Sequence, residues 1–164
     1  MAKEGLPYRK RLYHDVPSWV SDGASYFLTI NSRPRGKDQL CHDQGPHPVA
    51  SAILESVRLY HERGSWFVHR FLLMPDHAHA ILAFSRDESM SALVRTWKGY
   101  QKRSLGVHWQ EGFFDHRLRT EVSLAEKDEY IRMNPVRKGL CDRPEDWPHV
   151  LRFGPNGQLI EGRG

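Results

Sequence analysis

Cysteine is scarce: Cys41 and Cys141 are the two thiols in 164 residues. That is too few for a disulfide framework or a cysteine-built zinc site, which excludes the small stapled secreted class. Long apolar runs are missing as well. The mean hydropathy is −0.64, and no stretch approaches the roughly 18 residues of a membrane-spanning helix. The first residues, MAKEGLPYRKRLYHD, hold no apolar core of a secretory signal. No repeat and no low-complexity tract interrupts the chain. These absences together lead us to expect a reduced, cytoplasmic protein with no membrane partner, built as one domain.

What is present is arginine and aromatic rings. Lys plus Arg number 24 against 20 Asp plus Glu, 17 of the basic residues are Arg, and the net charge is +4. The planar guanidinium is the better fork for phosphate oxygens, so a polyanionic partner is one reading and an ordinary basic protein the other. Between Met90 and Thr120 the basic residues Arg95, Lys98, Lys102, Arg103, Arg117 and Arg119 face only Glu111 and Asp115. Arg9, Lys10 and Arg11 form a second basic run near the start. Trp97, Trp109, Phe113 and Phe114 suit either a core or a platform for unpaired bases.

Periodicity divides the chain into elements. Tyr26–Ile30 reads as a buried strand, and Val49, Ile53, Val57 and Tyr60 space an amphipathic helix opened by Pro48 and ended by Gly64. The segments 65–74 and 77–84 flank a Pro-Asp turn, which makes an antiparallel hairpin. Residues 88–105 predict a helix with Met90, Leu93, Val94 and Trp97 on its apolar stripe. Residues 109–118 predict a strand. A last helix is expected from a Ser123 cap to about Asn134, stopped by Pro135. The order β-α-β-β-α-β-α predicts an α+β fold: an antiparallel four- to five-stranded, ferredoxin-like sheet with helices packed on one face. We divide the chain into a basic N-terminal arm (1–22), a core (23–140) and a C-terminal surface tail (141–164).

Two constellations carry chemistry. In His77-Ala78-His79 the strand alternation sends both imidazoles to one side, a pair suited to a divalent metal or to two packed histidines. In Tyr130-Ile-Arg-Met-Asn134 the phenol and the carboxamide share a helix face at i, i+4. Asn134 fits a third, oxygen ligand, and equally a helix stop before proline. A phenol is a weak nucleophile at neutral pH, and a metal beside it offsets the charge of a phosphoryl group. Attack by Tyr130 on a phosphodiester would conserve the bond as a phosphotyrosine. Arg132, Arg137 and Lys138 stand near enough in sequence to hold the scissile strand. The loop histidines His42 and His47 fit an inert role.

Several blocks in fixed order resemble one family. Phe71-Leu-Leu-Met-Pro-Asp-His-Ala-His79 resembles the His-hydrophobe-His block of the single-tyrosine insertion-sequence transposases. Trp109-Gln-Glu-Gly-Phe-Phe-Asp-His-Arg-Leu-Arg119, Tyr130-Ile-Arg-Met-Asn-Pro-Val-Arg-Lys-Gly-Leu140, Asp146-Trp147-Pro148 and the early Gly23–Thr29 are similar to their REP-associated tyrosine transposase branch. The likeness covers roughly residues 8–150. It implies an HUH endonuclease core. It also implies Mg²⁺ or Mn²⁺ on His77, His79 and Asn134, and Tyr130 as nucleophile toward single-stranded or hairpin DNA through a 5′-phosphotyrosine. It leaves open a monomer or a homodimer, and a domesticated, non-catalytic protein that binds palindromic DNA or RNA. Ala78 stands where a larger apolar residue is usual, and His116 lies in a family block without an evident role.

Overall fold

The structure, a computed structural model, describes residues 25–162. Arg9, Lys10, Arg11 and the N-terminal arm lie outside them. The elements run β1 (Ser25–Asn31), α1 (Pro48–Glu62), β2 (Phe67–Met74), β3 (His77–Ala83), α2 (Met90–Leu105), β4 (Phe114–Leu118), α3 (Glu121–Arg137), β5 (Val150–Phe153) and β6 (Leu159–Glu161). The strands form one antiparallel sheet in the order β4-β1-β3-β2-β5-β6.

The sheet has two faces of different character. On one, Leu28, Ile30, Phe71, Leu73, Ala80 and Leu82 are buried under α1 and α2. Trp97 of α2 meets Phe71 edge-on at 5.6 Å and Trp66 at 6.1 Å. Its indole N–H donates to Ser56 Oγ of α1 at 2.9 Å. Ser56 also accepts from Gln101 Nε2 at 2.8 Å and donates to Ile53 O at 2.6 Å. One hydroxyl thus satisfies two buried donors from the neighbouring helix. Gly106 ends α2 in the left-handed region at φ 71°, where a side chain would be strained.

The opposite face carries Phe27, Thr29, His77, His79, Leu72 and Arg70, and α3 lies across it. Arg70 is almost wholly buried. Its Nε and Nη2 donate to Asp128 of α3 at 2.7 and 3.2 Å, and its Nη1 to Glu161 of β6 at 2.9 Å. Helices therefore cover both faces, two on one and one on the other, where a single covered face was expected. The cause is that β1, β2 and β3 are buried on both sides, so each face needs a lid.

Three boundaries differ from expectation. The sheet has six strands rather than four or five, because 141–164 is no simple surface tail. Val150, Leu151 and Phe153 of β5 are buried and pair with β2, and Trp147 Nε1 donates to Leu73 O at 2.9 Å. Strand β4 starts at Phe114 rather than at residue 109. Helix α3 starts at the Thr120 cap, whose hydroxyl accepts from Ser123 N at 3.0 Å while Ser123 Oγ accepts from Thr120 N. It runs through Pro135 to Arg137, since proline removes only its own N–H and Lys138 N still reaches Asn134 O at 3.0 Å.

Candidate metal and tyrosine site

The site is built on β3, the strand next to the hairpin turn. Antiparallel register sets His79 opposite Thr29 and His77 opposite Asn31. The two imidazole centroids are 4.7 Å apart. Both rings are tied down through Nδ1. His77 Nδ1 donates to Asp76 Oδ1 at 2.8 Å, and His79 Nδ1 lies 3.1 Å from Thr29 Oγ1. For His77 the carboxylate fixes Nδ1 as the donor and leaves Nε2 free, the usual arrangement by which an outer partner fixes a ligand's tautomer.

Asp76 is itself held. It accepts from Gly36 N at 2.8 Å and Arg35 Nε at 3.3 Å. Burial would raise its carboxyl, but the hydrogen bond from His77 and then that from Gly36 N–H outweigh it and hold the group at about 2. Burial lowers both histidines. His77 is moved down despite Asp76, and His79 is pushed to about 3 by burial, with His77, Arg137 and Lys127 adding to the shift. Neutral imidazoles with a free Nε2 are the form that ligates a divalent cation.

Tyr130 faces this pair from α3. Its ring centroid is 5.9 Å from that of His79 and 6.1 Å from that of Phe27, and it remains 43% exposed. One turn on, Asn134 is 4% exposed and shares the Tyr130 face of α3 at i, i+4. A carboxamide oxygen on the helix that faces two neutral imidazoles fits a cation ligand. Among the described residues no cluster of three His, Cys, Asp or Glu side chains is suited to a metal.

The basic residues separate into groups. Arg137 and Lys138 sit by the site: the Arg137 guanidinium lies 4.7 Å from the Tyr130 ring centroid, and Lys138 acts on His77. Arg132 pairs with Glu129 at 3.2 Å and Glu145 at 3.5 Å. Arg95, Lys98, Lys102 and Arg103 ride on α2, which covers the other face of the sheet and so is not brought to the histidines. Lys98 Nζ is also engaged, donating to the carbonyls of Gln110 and Gly112. Arg117 and Arg119 are exposed at and after β4. Of the aromatics, Trp97 and Trp109 are core, Phe113 is half-buried, and Phe114 is exposed. His47 caps α1, its Nδ1 accepting from Ala50 N at 3.3 Å.

Sequence reasoning passed over Lys127, whose Nζ lies 4.8 Å from the Phe27 ring centroid and 5.4 Å from that of Tyr130. Its i−3 spacing from Tyr130 was the available signal. It also read Asp76 as turn punctuation, and it passed over Thr29, whose role depends on cross-strand register.

The fold and site together define an α+β protein with a His-x-His strand under a tyrosine helix. No family model matches the chain. It is 28% identical over 129 residues to the REP-associated tyrosine transposase of Escherichia coli, spanning 77% of this chain and 74% of that protein. A solved structure of a REP-associated tyrosine transposase bound to a REP hairpin shares the fold. It has a TM-score of 0.67 and 23% identity, over 78% of this chain and 76% of that one. The chain is therefore similar to the REP-associated tyrosine transposases, as the sequence blocks indicated. Among the described residues no helix is long and apolar enough to cross a membrane.

Proposed function

We infer that this protein is a metal-dependent, single-strand DNA endonuclease and strand transferase that uses Tyr130 on hairpins of repeated palindromic sequence. The observation that carries this reading is the packing of the Tyr130 ring against His79 of the same chain, 5.9 Å between centroids. His77 Nε2, His79 Nε2 and the Asn134 carboxamide oxygen would hold Mg²⁺ or Mn²⁺. When bound, the cation polarises the phosphoryl oxygens and offsets their charge.

The remaining work falls to the chain's own residues. The Tyr130 oxygen attacks the phosphorus as its proton passes to solvent. The bond to the 3′ oxygen breaks, and that oxygen takes up a proton as a free 3′-OH. The 5′ phosphate stays on Tyr130 as an ester, so a second 3′-OH can attack it and reverse the step. Lys127 and Arg137 flank the phenol and supply positive charge where the phosphate must sit. Because the tyrosine meets its own histidines, one chain suffices for the site.

The test is incubation of labelled hairpin DNA with the protein and Mn²⁺. A covalent protein–DNA adduct is expected, lost in Tyr130→Phe and in His77→Ala. An adduct that survives Tyr130→Phe removes Tyr130 from the mechanism. Binding without adduct at any metal concentration points to a non-catalytic binder.

A further inference from the structure

Phe114 is out of place by ordinary folding logic. It is 59% exposed, although a ring of this size is ordinarily stabilised by burial. Strand register pairs it with Thr29, and His116 with Phe27. Both side chains therefore lie on the face that holds His77 and His79. Phe114 meets Phe27 edge-on at 6.3 Å, and Phe27 stacks on His79 at 5.6 Å with 22° between planes. An aromatic surface thus runs outward from the histidines, past the edge of Tyr130, and ends in a bare ring.

Charge accompanies it. Lys127 Nζ sits over Phe27 at 4.8 Å and has no carboxylate partner among the described residues. The other exposed side chains of β4, Asp115, His116 and Arg117, are polar, so the surroundings do not form the broad apolar patch that a protein partner would cover. An isolated ring next to a cation suits a nucleobase with its phosphate.

We propose that Phe114, with His116 beside it, is a stacking subsite for one unpaired nucleobase flanking the phosphodiester that Tyr130 attacks. The proposal rests on the reading of Tyr130 given above. It supplies a physical reason for single-strand preference, because a base stacked in a duplex has no free face to offer. His116 adds a ring nitrogen for the base edge or its phosphate.

The experiment uses the full chain carrying Tyr130→Phe, with no added metal, and a DNA hairpin whose single-stranded flank holds 2-aminopurine at successive positions. At one position binding is expected to quench the fluorescence. Phe114→Ala should abolish that quench and weaken binding about tenfold, with no loss of thermal stability. Phe114→Trp should restore both. Equal quenching in Phe114→Ala, or none at any position, overturns the subsite. Adduct formation by the unsubstituted protein reports on Tyr130 independently. Adduct without Phe114-dependent quenching sinks the subsite alone. Phe114-dependent quenching without adduct keeps the subsite and sinks the cleavage reading.

Discussion

Arg70 and Asp128 meet through two contacts, 2.7 Å from Nε and 3.2 Å from Nη2, and Asp128 lies two residues before Tyr130. The tyrosine helix is thus fastened to the strand beside the histidines. Burial opposes the Arg70 charge, and the hydrogen bond and charge of Asp128, with those of Glu161, outweigh it. Arg70→Met should destabilise the protein by about 3 kcal/mol, the range for breaking a buried pair from one side. Urea denaturation measures this. A change below about 1 kcal/mol would mean that the pair behaves like a surface contact.

Asp76 bears on the proposed cation site through His77, whose Nδ1 donates to it at 2.8 Å. Asp76→Asn should keep the fold and reduce Mn²⁺ affinity about 10- to 100-fold, the usual effect of losing an outer carboxylate. Isothermal titration reads the affinity, and circular dichroism controls for folding. Unchanged affinity would place His77 outside the ligand set.

Ser56 joins α1 to α2. Ser56→Ala would leave Trp97 Nε1 and Gln101 Nε2 buried without their acceptor, at a cost of about 2–4 kcal/mol. Thermal unfolding should show a fall of several degrees. Retention of the wild-type midpoint would show that both donors find another partner.

Acid stability should follow the buried histidines, His61 and His69 as well as His79. Burial pushes His61 and His69 down to about 4. His61 Nδ1 accepts the Val68 N–H at 3.1 Å and must be unprotonated to do so. Unfolded histidine titrates near 6.5, so between about pH 6.5 and 4 the unfolded chain binds more protons than the folded one. Stability should be full above that window and fall through it as pH drops. Asp76, held at about 2, adds its own loss below it. A denaturation midpoint flat from pH 7 to 4 would contradict the burial of these rings.

Much of this was legible from one-dimensional pattern. Alternation is enough to put His77 and His79 on one side of β3, and helical spacing is enough to put Tyr130 and Asn134 on one side of α3. Cross-strand facts were not legible. Thr29, Phe27 and Arg70 join the site because of register and strand order, which no local window contains. The hairpin β5–β6 escaped because its strands are four and three residues long and sit among prolines and glycines. Pro135 misled because its rule concerns the preceding residue's preference, and the packing of Ile131 and Asn134 against the sheet overrides it.

The central position of β3 has a mechanical consequence. It is laddered to β1 along seven residue pairs and to β2 along another seven, whereas α3 crosses the sheet as a lone helix, held by buried Ile131 and by the Arg70–Asp128 pair. Amide exchange should therefore find β3 among the last segments to open and α3 among the earlier ones. The imidazoles are mounted on the anvil of the molecule and the phenol on its hammer. The stroke of one against the other can be tuned by changes in α3 that leave the histidine strand undisturbed.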